Sequence, residues 1–189
     1  MGYGLWRMVG LNVKLSELMP PGREEIPWPV VAQILTIARL CSPGSELSIE
    51  ERWYPTTALE DILDVPIGKV HTDRLYAGLD KLLVHKDEIE KHIKSKMEGL
   101  FDLKFDVLLY DITSSFFEGG CADNTMAKRG HSRDHRPDCP LVCIGLVATP
   151  EGIPLPHEVF DGNKPLANAS VVFHPTGGDA VGTLKPHGK

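Results

Sequence analysis

The hydrophobic period of this chain changes once, close to Leu103, and that change restricts the possible folds more than any other feature. Before it, apolar residues recur at helical spacing. Trp28 to Leu40 places Val30, Val31, Ile34, Leu35, Ile37 and Ala38 at helical intervals, and Ser42-Pro43-Gly44 stops the run. Ser48 followed by Glu51 has capping-box spacing and either opens a short helix or lies inside one begun near Glu46. Thr56 or Thr57 can cap Ala58 to Leu63, which Pro66 closes. Val70 to Leu83 carries Val70, Leu75, Leu79, Leu82 and Leu83 on one side. Asp87 to Phe101 repeats the pattern with Ile89, Ile93, Met97, Leu100 and Phe101 beneath a face that alternates Glu and Lys.

After Leu103 the chain reads as strands. Phe105 to Thr113 (FDVLLYDIT) is compact and rich in Val, Leu, Tyr and Ile, which predicts a mostly buried strand. Leu141 to Thr149 (LVCIGLVAT) predicts a second, Pro150-Glu151-Gly152 a tight turn, and Ile153 to Phe160 a third. Pro154 and Pro156 in that third strand point to an edge or a bulge, because proline cannot donate to a ladder. The second and third strands are expected to pair as a hairpin with the first alongside. The fold class is therefore α+β: a helical region over 1–103, then three antiparallel strands over 104–163.

A length of 189 residues allows one large domain or two small ones, and 42% apolar with 24% charged residues excludes global disorder. No run approaches the roughly 20 apolar residues of a membrane span, and the start lacks the basic-then-apolar layout of a secretory signal, so no membrane partner is expected. Four cysteines (Cys41, Cys121, Cys139, Cys143) are too few for a disulfide scaffold, which predicts a reducing, cytoplasmic setting. The net charge of −6 excludes a uniformly basic nucleic-acid coat. Basic charge is concentrated in one segment, where Lys128, Arg129, Arg133 and Arg136 stand against Asp134 alone. Such a cluster either recruits phosphates or is a solvated basic loop.

Asp111 interrupts an apolar strand, between Val107-Leu108-Leu109-Tyr110 and Ile112. A carboxylate there is costly unless it is paired or binds a cation. Mg²⁺ takes one or two protein carboxylates and completes its shell with water and phosphate oxygens. The other reading makes Asp111 a strand-end residue capping the following turn through Thr113 or Ser114. His131, His135, Cys139 and Cys143 are zinc-type side chains at equal spacing, but Gly130, Pro137 and Pro140 oppose a helix there and no Cys-x-x-Cys knuckle exists. Cys143 reads as core. Neither a Gly-x-Ser-x-Gly elbow nor a Walker-type loop is present.

The string Tyr110-Asp111-Ile112-Thr113-Ser114-Ser115-Phe116-Phe117-Glu118-Gly119 resembles the first catalytic strand of DDE transposases encoded by prokaryotic insertion elements. The resemblance continues through Lys128-Arg129-Gly130-His131-Ser132-Arg133-Asp134-His135-Arg136-Pro137-Asp138, the strand Leu141 to Val147, Gly152-Ile153-Pro154-Leu155 and Glu158-Val159-Phe160-Asp161-Gly162-Asn163. Val70 to Tyr76 and Leu79 to Leu83 resemble the family's helical region, so the likeness covers roughly residues 5 to 163. It implies a ribonuclease-H-like core that uses two divalent metals, Mg²⁺ or Mn²⁺, to cut DNA at element ends and join it to target DNA. It implies Asp111 as the first catalytic, metal-binding carboxylate. Lys128, Arg129, Arg133 and Arg136 are then expected near DNA phosphates, with Arg133 and Arg136 the first contacts to test.

The chain supplies no match to the family's second catalytic Asp or final Glu. Asp161 belongs to a turn motif of the family, and Asp179 lies in unmatched sequence. Residues 164–189 match nothing in it and read as a poorly ordered tail left by truncation or a shifted frame. The 60 residues from 104 to 163 hold three strands but fall short of the roughly 100 residues of a typical domain. These features imply a transposase by descent that is inactive alone. The alternatives are a module that binds DNA, or pairs with full-length transposase and inhibits it, and a non-functional remnant. A homo-oligomer is a further expected partner.

Overall fold

The computed structural model describes residues 1–101, 109–130, 135–149 and 152–163. The expected start of the first strand at 105–108, His131, Arg133 and the segment 164–189 lie outside them. The chain divides into two compact units, Met1–Leu100 and Phe101–Lys189. Secondary structure is mixed: helices occupy the first unit, and a three-stranded antiparallel sheet occupies the second, an α+β composition.

In the first unit, α1 (Gly2–Val9) and α2 (Leu11–Leu18) are separated by Gly10. Its φ of 74° is left-handed, and its N–H closes onto the Arg7 carbonyl, a conformation that suits glycine. α3 (Trp28–Cys41) begins with Pro29 in its first turn, where a missing N–H costs nothing. It buries Val31, Ile34, Leu35, Ile37 and Ala38, as its spacing predicts, whereas Val30 is only half-buried and Ala32, not among the expected residues, is buried. Ser45 caps the short α4 (Glu46–Ser48) by accepting the Ser48 N–H at 3.2 Å. Ser48 therefore lies inside the helix rather than opening it. The chain continues through a π turn at Ile49–Trp53, and α5 spans Leu59–Leu63. Tyr54 is fully buried in this core and donates its hydroxyl to the Val65 carbonyl at 2.8 Å. Glu50 accepts from both the N–H and the hydroxyl of Thr72, which holds its carboxyl below the usual range and anchors the start of α6 (Thr72–Val84).

The apolar side expected on α6 is corrected by one residue pair. Leu79 is 39% and Leu83 69% exposed, and the buried line runs through Leu75 and Gly78 instead. Gly78 is the cause. Without a side chain it lets α6 settle onto α3, so close that a Cβ there would lie 2.6 Å from Val31 Cγ1. α7 (Lys86–Phe101) follows, and His92 Nε2 lies 2.9 Å from the Val9 carbonyl at the end of α1.

The sheet of the second unit has the order β1 (Leu109–Phe116), β2 (Leu141–Ala148), β3 (Pro154–Asp161). β2 is central; Leu141, Cys143, Gly145 and Val147 on one face are buried, while the other face runs from buried Val142 through half-buried Ile144 to exposed Leu146. β2 and β3 form the expected hairpin. Gly152 turns the chain at φ 84°, and Thr149 and Ile153 are joined by a backbone hydrogen bond of 2.9 Å. The prolines mark what the sequence indicated: among the described residues β3 pairs only with β2, and a register irregularity falls between Leu146 and Ala148, opposite Pro154.

Candidate functional site

Asp111 occupies a position inside β1, opposite Leu146 of β2, which in turn pairs with His157 of β3. The strand-end reading of Asp111 is thereby corrected, since β1 continues past it to Phe116. β1 then leaves the sheet through Phe117, whose N–H donates to the Pro140 carbonyl, and through Gly119 at φ 149°. The connection from β1 to β2 carries the basic residues.

That connection is stitched back onto the sheet. Lys128 and Leu141 exchange both backbone hydrogen bonds at 3.0 Å, and Gly162 N–H donates to the Met126 carbonyl at 3.1 Å. A Cβ on Gly130 would collide with the Gly162 carbonyl, and one on Gly162 would stand 2.6 Å from the Lys128 carbonyl oxygen. Two glycines are therefore required where the loop crosses the end of β3. Lys128 Nζ also pairs with Asp161 Oδ2 at 2.6 Å, so one of the expected phosphate contacts fastens the loop to β3.

Arg136 is similarly engaged. Its Nη2 lies 3.0 Å from Asp138 Oδ2 and its Nε 3.1 Å from Asp138 Oδ1, a two-pronged pairing. Its Nη1 lies 3.7 Å from Glu118, and the guanidinium stands 5.0 Å from the centre of the Phe116 ring. The hydrogen bond from Arg136, reinforced by the Cys139 thiol, holds the Asp138 carboxyl far below the usual carboxylate range. In return, Asp138 raises the already high affinity of Arg136 for its proton. Cys139 is buried against this pair; its burial first, and its bond to Asp138 second, push the thiol up. Cys143 is buried within β2, as read from the sequence, with Sγ 4.0 Å from the Gly162 carbonyl, and burial raises its thiol too.

Arg129 differs from both. It is exposed, and among the described residues it has no carboxylate partner. It borders a cavity of about 650 Å³ together with Glu118, Gly119, Arg136, Asp138 and Cys139. The structure thus brings Arg129 and Arg136 to one cavity and ties Lys128 to the sheet. The partners Glu118, Asp138 and Asp161 were not anticipated. Only Asp138, two residues from Arg136, had a signal in local sequence.

A pair of divalent cations requires several converging carboxylates. Among the described residues no three His, Cys, Asp or Glu side chains come together to hold a metal. No helix among them is long and apolar enough to cross a membrane. Comparison with protein-family models, with curated proteins and with solved structures gave no match to this chain.

Proposed function

We propose that this polypeptide is a DNA-binding relative of insertion-element DDE transposases, with its β1–β2 connection as the surface facing DNA. The observation that carries the reading is the ordered series of motifs from Tyr110 to Asn163, with Asp111 inside the first of three antiparallel strands. That order agrees with the opening of a ribonuclease-H-like core. The basic residues supporting it are gathered in one loop, so a net charge of −6 does not oppose phosphate binding there.

Within these 189 residues Asp111 is the single match to the family's catalytic carboxylates, and one carboxylate cannot clamp both oxygens of an in-line displacement between two cations. The activity proposed for this chain is therefore binding at element ends in the cytoplasm, without strand cleavage. A gel-shift assay with an element-end duplex, followed by incubation with Mg²⁺ or Mn²⁺, tests both halves. A shifted band and intact strands are expected. Absence of any shift removes the DNA reading, and cleavage abolished by Asp111→Ala removes the claim of inactivity.

A further inference from the structure

We propose that, among the described basic residues of the β1–β2 connection, Arg129 is the one that contacts phosphate oxygens, and that Arg136 is a positioning residue that lines the cavity beside it. The inference rests on the DNA-binding reading and names the contact within that surface. It departs from the sequence, which ranks Arg129 no higher than its neighbours and points first to Arg136 and to Arg133, the latter outside the described residues.

The argument begins with what each cation already holds. Lys128 is 2.6 Å from Asp161, and Arg136 is held by Asp138 at 3.0 and 3.1 Å with Phe116 on its face. If either turned to a phosphate it would abandon a carboxylate and leave that charge beside the incoming anion. Arg129 gives up no such partner among the described residues. Its guanidinium fork suits two phosphate oxygens at once.

The second part is backbone placement. Arg129 sits between Lys128, doubly bonded to Leu141, and Gly130, pressed against Gly162. Its Cα is thus fixed relative to the sheet on both sides. Binding at Arg129 then orders a side chain on a backbone already placed, which lowers the entropic cost of the contact. The third part is space. The cavity of about 650 Å³ beside Arg129 is lined in part by Gly119 and Gly120, which put no side chain in the way of an approaching phosphate. Arg136 pairs with Asp138 and lies 3.7 Å from Glu118, so it offsets part of the negative charge that lines the cavity.

The test uses the full chain, labelled with ¹⁵N, and two probes: inorganic phosphate and a fluorescent duplex DNA. Phosphate is expected to move the amide signals of Gly119, Gly120 and Arg129, and Arg129→Gln to abolish those shifts while leaving the rest of the spectrum in place. With DNA, Arg129→Gln is expected to reduce the slope of log K against log salt by about 0.9, the signature of one phosphate contact. Arg136→Gln is expected to weaken DNA binding with the slope unchanged, and Arg136→Lys to restore it only in part, since lysine lacks the fork. Shifts with phosphate but no DNA binding would support the Arg129 site, assign it to a free phosphate and refute the DNA reading. DNA binding whose slope falls in Arg136→Gln but not in Arg129→Gln would overturn the inference and leave the DNA reading standing.

Discussion

Gly130→Ala tests whether the loop is fastened to the sheet in the way described. The added methyl would meet the Gly162 carbonyl, which is backbone and cannot rotate away, so the crossing must open. Opening it breaks the two Lys128–Leu141 hydrogen bonds and the Gly162–Met126 bond. At a net 0.5–1.5 kcal/mol each, three such bonds amount to about 3 kcal/mol of local stability. That corresponds to roughly a hundredfold faster amide exchange, since 1.4 kcal/mol is tenfold in an equilibrium. Hydrogen exchange read at Lys128, Leu141 and Gly162 is the direct assay, with the mid-strand amides of β2 as internal controls. Exchange at those three positions within about twofold of the parent chain would refute the clasp, and with it the fixed placement of Arg129.

Further outcomes concern the helical unit, where all three tryptophans lie, so that their fluorescence reports its unfolding in urea. Gly78→Ala should destabilise it by up to about 2 kcal/mol: overpacking against Val31 costs about 1–3 kcal/mol and better helix propensity returns about 1. Gly99→Ala in α7, where a Cβ meets nothing within 4 Å, should instead stabilise it by about 0.5–1 kcal/mol; equal effects of the two substitutions would contradict the close α3–α6 approach. Burial, aided by the nearby Glu60 charge, raises the Tyr54 hydroxyl from 10.0 to about 12. Above pH 10 the unfolded chain ionises first, so stability should fall between pH 10 and 12 by up to about 3 kcal/mol, and Tyr54→Phe should flatten that dependence while costing about 1–3 kcal/mol at neutral pH.

What was legible in the sequence was whatever depends on neighbours along the chain. Ser42-Pro43-Gly44 fixed the end of α3 to within a residue or two, and Pro154 announced both the edge and the irregularity of β3. Periodicity alone misplaced the buried face of α6, because the decisive residue there is a glycine. Apolar patterns give glycine no weight, yet its missing side chain sets how closely two helices approach. The strand-end alternative for Asp111 arose because local pattern cannot say how far a strand continues, and β1 runs on through the polar Thr113, Ser114 and Ser115.

The site divides in the same way. The basic loop was visible as composition, but the roles within it were not. Lys128 meets Asp161, 33 residues later, and Gly130 meets Gly162 across the same fold-back. Such pairings exist only once β2 and β3 are in register, so the three described basic residues, alike in sequence, acquire different roles. Lys128 becomes a fastener, Arg136 a wall, and Arg129 a free cation among the described residues.

Hydrogen–deuterium exchange of the full chain with and without an element-end DNA duplex tests the central claim most directly, because it reports where DNA sits without assuming any residue's role. Reduced exchange concentrated between Phe117 and Leu141 is the expected result. Binding that leaves this connection unchanged and protects only Met1 to Leu100 would contradict the assignment of the DNA surface, and no change anywhere at saturating DNA would contradict the proposed function itself.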